Sequence, residues 1–128
     1  MLRDLTDYAV ESLLEVGAIA PCGVAVPATG QLEWISTLDF SGDNAVQVIA
    51  EMIHAIVNER MVVLAALCDE DTSRHTKVPE VRRVIRIRLE ALGESPFLHF
   101  QPVIVSDAGA RLEEGWTERV QPALLTAP

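Results

Sequence analysis

Glu80-Val-Arg-Arg-Val-Ile-Arg-Ile-Arg-Leu-Glu-Ala-Leu92, Gly93-Glu-Ser-Pro96 and Phe97-Leu-His-Phe-Gln-Pro-Val-Ile-Val105 form the stretch on which the fold turns. From Ile85 to Ala91 the odd positions are apolar (Ile85, Ile87, Leu89, Ala91) and the even ones charged (Arg86, Arg88, Glu90). That period of two belongs to a strand with one buried and one wet face. Val81, Val84, Ile85, Leu89 and Leu92, between Pro79 and Gly93, also fit a helix. Ile87 would then land among the charges, and the Val and Ile content favours extended backbone. The stretch therefore reads as a long β-hairpin. Its second arm puts Leu98, Phe100 and Ile104 on one face and turns His99 and Gln101 to the other. Pro102 lacks the N–H that a ladder needs, which predicts a bulge or an unpaired side there.

Outward from the hairpin, residues 2–16 predict an amphipathic helix. Leu5, Ala9, Leu13 and Val16 line one face, and Gly17 is placed to end it. Residues 18–26 and 31–38 read as two strands joined by Pro27-Ala-Thr-Gly30. A second helix is expected over about residues 43–59, capped by Ser41 or Asp43, with Ala45, Ile49, Met52, Ile53 and Ile56 on its apolar side. The apolar run Met61–Cys68 predicts a strand covered on both faces, or an edge strand buried by a partner. Residues 69–79 are polar and rich in breakers, hence an exposed loop. Arg111–Val120 predicts one more short strand, and residues 121–128 a tail.

The expected architecture is one α+β domain over 1–128 in the order α-β-β-α-β-β-β, an antiparallel sheet of about five strands covered by two helices. With 128 residues, 49% of them hydrophobic, the chain suits a single packed core. A net charge of −9 argues against general nucleic-acid binding. No secretory signal opens the chain, and Met61–Cys68 is too short to span a bilayer, which points to a soluble cytoplasmic protein without a membrane partner. Cys22 and Cys68 read as reduced core thiols, although a single disulfide between them remains open.

Glu15-Val-Gly17, Pro21-Cys-Gly-Val24, Gly30-Gln-Leu32, Gly42-Asp43, Leu67-Cys-Asp69 and Ile85-Arg-Ile-Arg-Leu-Glu90 resemble the motifs of a family of small bacterial proteins of unknown function. The resemblance runs over most of the chain and implies a strand at 85–90. It carries no activity, cofactor or catalytic residue. Cys22 stands where that family usually has an aromatic residue, which argues against a nucleophilic role. The element order is also similar to the roadblock/longin-like modules, which dimerise or serve as platforms for other proteins. In such modules the strand after the second helix lies at a sheet edge, which implies pairing of Met61–Cys68 with a second copy.

Three groups of residues carry candidate chemistry. Arg82, Arg86 and Arg88 share a strand face and can grip carboxylates or phosphates bidentately. Their competing role is a solvated face paired with acids such as Glu33 or Glu90. Asp69, Asp71 and His75 are candidate metal ligands, without the spacing of a zinc site. Met61, Val63 and Ala65 are the expected self-association residues. His54 and His99 read as surface residues, and no nucleophile motif or phosphate loop is present. The resulting expectation is a homodimeric binding protein that needs no cofactor. The alternatives are a hydrolase or metal-dependent enzyme using Asp69, Asp71, His75 or Cys22, and an acidic immunity-type inhibitor of a basic partner.

Overall fold

The computed structural model describes residues 1–36, 44–71 and 81–125, with the backbone alone for Val81 and Arg82. The elements are α1 (Leu2–Val16), β1 (Cys22–Pro27), β2 (Glu33–Ser36), α2 (Ala45–Glu59), β3 (Val62–Glu70), β4 (Val81–Ala91), β5 (Phe97–Ser106), β6 (Gly109–Leu112) and β7 (Trp116–Arg119). The α+β expectation holds, as does the strand reading of β4. The sheet is larger than expected, with seven strands among the described residues in place of about five, because Arg111–Val120 contributes to two short strands.

Strand order is β2-β1-β3-β4-β5-β6, with β7 also pairing with β5, and every pairing is antiparallel. Alternation along the strands sorts two cores onto opposite faces. Cys22 and Val24, Ala66 and Cys68, and Ile85 and Ile87 meet Leu5, Ala9 and Leu13 of α1. Ala25, Ala65 and Leu67, one position out of phase, meet Ile49 and Ile53 of α2. Full burial of each such branched side chain is worth about 1.5–3 kcal/mol, so the two helices clamp the sheet from both sides. α2 lies close to β1 because position 23 is glycine: a Cβ there would stand 2.5 Å from Ile49 Cγ2.

Several boundaries differ from expectation for identifiable reasons. α1 ends at Gly17, whose φ of 76° is the left-handed conformation that glycine tolerates. Residues 18–21 precede β1 instead of joining it. Ser12 Oγ donates to the Ala18 carbonyl at 2.6 Å and accepts the Ala20 N–H at 3.1 Å, which ties this segment to α1. α2 starts after Asn44, which makes no side-chain cap, and the expected caps Ser41 and Asp43 lie outside the described residues.

The exposed loop expected over residues 69–79 is corrected at its start, and residues 72–79 lie outside the described residues. Asp69 and Glu70 continue β3, and the Asp71 N–H donates to the Val84 carbonyl at 2.9 Å. Pro102 causes no bulge against β4, whose register runs through Val84↔Pro102 unshifted. In a strand the N–H and C=O of one residue point to the same side. The Pro102 carbonyl accepts the Glu113 N–H, so its missing donor faces the gap where β5 changes partner from β6 to β7.

Met61–Cys68 is not an edge. β3 hydrogen-bonds to β1 on one side and β4 on the other, so its backbone is saturated within the chain. The expected tail is also corrected over residues 121–125. Leu124 is 2% exposed and belongs to the α2 core.

A cleft between helix α2, the sheet and the C-terminal strap

The even positions of β4 carry Arg86, Arg88 and Glu90 to the α2 face. Each of these charges has a partner. Arg86 donates from Nε and Nη2 to the two Asp69 oxygens at 2.8 and 2.5 Å, a bidentate pair across β3 and β4. Hydrogen bonding to Asp69 raises the Arg86 pKa above the usual arginine value, against the opposing effect of burial. Arg88 donates from Nη1 to Glu90 at 3.2 Å and to the Gln121 carbonyl at 2.9 Å. Arg83, at an odd position, turns to the α1 face, where it forks onto Glu70 and reaches the Gly17 carbonyl at the end of α1.

Glu90 organises the segment that follows β7. Its carboxylate is 2% exposed and accepts the backbone N–H groups of Ala123, Leu124 and Leu125 at 2.9–3.1 Å. Three successive donors satisfy a buried charge that would otherwise be costly. On the other side of this strap, His54 Nε2 lies 2.5 Å from the Ala123 carbonyl. Residues 121–125 are thus held between α2 and β4.

These contacts enclose a cleft of about 340 Å³. Its walls are Val46, Ala50 and His54 of α2, Leu67 and Asp69 of β3, Arg86 and Arg88 of β4, Leu98 of β5, and Ala123 and Leu124 of the strap. The Arg86 and Arg88 side chains keep 36% and 24% of their exposure. Beside Arg86 on the same transverse row, Phe100 stacks on Trp116 with ring centroids 5.2 Å apart. The cleft is an apolar slot with two guanidiniums, one carboxylate and an imidazole at its rim.

Two of the three arginines expected to act together do line this cleft. The Arg82 side chain and His75 lie outside the described residues. Asp69 is committed to Arg86, and Asp71 is 4% exposed. Among the described residues, no group of three His, Cys, Asp or Glu side chains is placed to hold a metal ion. Cys22 and Cys68 lie under α1, on the face opposite Asp69 and His54, so these thiols and that imidazole do not form one site. Of the self-association residues, Met61 is 65% exposed while Ala65 is fully buried between β1 and β4.

Glu90 was expected as a partner of the arginines, which its bond with Arg88 bears out, but its hold on the strap was not anticipated, nor were His54, Leu98 and the strap itself. A trace of them was present: Val84 is an apolar residue on the charged phase of β4, and Leu124-Leu125 are apolar residues in a supposed tail. His99 is likewise no plain surface residue, since its Nδ1 is buried without a hydrogen-bond partner among the described residues.

Comparison with known proteins adds no relative. No protein-family model matches the chain, and neither a curated protein nor a solved structure matches it at a significant level. Among the described residues, no helix is long and apolar enough to cross a membrane.

Proposed function

We propose that the chain is a small-molecule binding module whose ligand is an apolar body bearing one carboxylate or sulfonate, held in the α2-side cleft. The observation that carries this reading is the placement of Arg86 and Arg88 at the rim of a slot walled by Val46, Ala50, Leu67, Leu98 and Leu124. Binding sites of this size are commonly apolar with a few convergent polar groups. Asp69 uses two nitrogens of Arg86, and Nη1 has no partner among the described residues, so the guanidinium retains donors for an incoming anion. A catalytic reading has less support: Asp69 is held by Arg86, His54 is hydrogen-bonded to the strap, and neither faces a nucleophile among the described residues.

Cytoplasmic location belongs to this proposal and rests on two free, buried thiols. Self-association by pairing of β3 with a second copy is not carried forward, because β3 offers no backbone edge.

The test uses 8-anilinonaphthalene-1-sulfonate as probe and octanoate as competitor. Probe fluorescence should rise on binding at a single site and fall as octanoate is added. Arg86→Gln and Arg88→Gln should each weaken the probe by about tenfold, the loss of one charge-assisted hydrogen bond. Equal binding by all three proteins, at unchanged melting temperature, would remove the cleft as the site.

A further inference from the structure

Cys22 and Cys68 are direct cross-strand partners in the β1–β3 ladder. Opposed residues in antiparallel strands have Cα atoms about 4.5–5.5 Å apart. That separation lies inside the about 4.4–6.8 Å span of disulfides. Both residues point to the α1 face, both are fully buried, and both are free thiols. We propose that this pair is an oxidation site, at which a peroxide converts two core thiols into one intramolecular disulfide that staples β1 to β3.

The chemistry balances with hydrogen peroxide as the oxidant. The first sulfur attacks one peroxide oxygen, the O–O bond breaks, and water leaves behind a sulfenic acid. The second sulfur then attacks that sulfenic sulfur. The S–S bond forms, the S–O bond breaks, and a second water departs. Two thiols are oxidised by two electrons, and one peroxide is reduced. The hydrogen bond with Cys22, burial, and the nearby Cys22 and Asp69 groups push the Cys68 pKa up, so this thiol keeps its proton while α1 covers it.

Helix α1 sets the rate. Leu5, Ala9 and Leu13 cover the pair, and Cys68 Sγ lies 4.0 Å from the Leu5 carbonyl. Peroxide reaches the thiols when α1 lifts from the sheet, so oxidation follows local opening and not the intrinsic reactivity of an exposed cysteine. Register supplies the specificity: once a sulfenic acid forms, the nearest thiol is the one across the ladder.

The test is intact mass and thiol count on the folded wild-type chain after hydrogen peroxide, followed by non-reducing peptide mapping. The expected product has lost two hydrogens and both thiols. It yields one peptide linking Cys22 to Cys68, and it reverts with a reductant. Leu5→Ala should speed the reaction several-fold by loosening α1. In Cys68→Ser the reaction should stop at a sulfenic acid on Cys22 that dimedone traps. Two surviving thiols after prolonged exposure, or separate oxidation of each sulfur to sulfinic acid without the linked peptide, would overturn the proposal. Because the wild-type measurement needs no variant, poor folding of a substituted chain leaves the test intact.

Discussion

The Glu90 carboxylate accepts the backbone N–H of Leu124 through both oxygens, at 2.9 and 3.1 Å, across 34 positions of chain. This pairing joins the centre of the sheet to the strap and forms part of the wall behind the proposed site. Glu90→Ala would leave three strap N–H groups without their acceptor. With buried orphans costing about 1–3 kcal/mol each and some regained from water, the net loss should be about 3 kcal/mol. Urea denaturation measures it. Limited proteolysis should also cut the variant near residues 121–125 well before the wild type.

Close approach of α2 to β1 depends on Gly23. Gly23→Val would drive a branched side chain into Ile49 Cγ2, which a Cβ already approaches to 2.5 Å, and into Ile53 Cδ1 at 3.1 Å. Overpacking of this kind costs about 1–3 kcal/mol. Adding Ile49→Ala makes room, so the double variant should lose less than the sum of the two single losses. Strict additivity in chemical denaturation would show that α2 does not contact Gly23.

Tyr8 gives the fold an alkaline limit. Its hydroxyl donates to the Ala20 carbonyl at 3.0 Å, and burial, with the thiols of Cys22 and Cys68 adding to it, pushes its pKa from 10.0 up to about 12. The folded state thus holds the phenol proton more tightly than the unfolded chain. The contribution is fully present below pH 10 and is lost as pH rises from there through about 12. Tyr8→Phe should be less stable than wild type by about 1 kcal/mol at neutral pH, the worth of the hydrogen bond. That gap should narrow between pH 10 and 12. A constant gap across a pH series of denaturation curves would exclude the linkage.

Met61 and Ala65 should respond in opposite ways. Met61→Lys alters a side chain that is 65% exposed and should change stability by no more than about 0.5 kcal/mol. Ala65→Asp places a carboxylate at a fully buried position directly opposite Glu90, and it should abolish folding. Circular dichroism reads the folding. Light scattering on wild type and Met61→Lys should give the same mass; a mass that falls in Met61→Lys would restore self-association.

Local pattern made most elements readable. The alternation at Ile85–Glu90 settled β4, the 3.6-residue spacing of Leu5, Ala9 and Leu13 settled α1, and Gly17 marked its end. The same alternation correctly put Arg86 and Arg88 on one face. What stayed hidden was pairing between distant strands. An apolar run such as Val62–Cys68 suits a central strand or a covered edge equally well, and only the neighbours β1 and β4 distinguish them. Glu90 looked like one more solvated charge because its three donors lie over thirty residues away. Asp69 and Glu70 looked like loop residues because their strand character depends on Arg86 and Arg83 across the ladder. The Cys22–Cys68 contact needed the register of β1 on β3, and the cleft needed the return of Leu124.

Glu90 also ties completion of the structure to the direction of synthesis. A ribosome makes the carboxylate well before the three amides that satisfy it, so the nascent sheet carries a hydrated charge on its α2 face until residue 125 has emerged. Leu124 enters the second core at the same moment. Docking of this segment is therefore a dehydration, in which residues made later replace water around one made earlier.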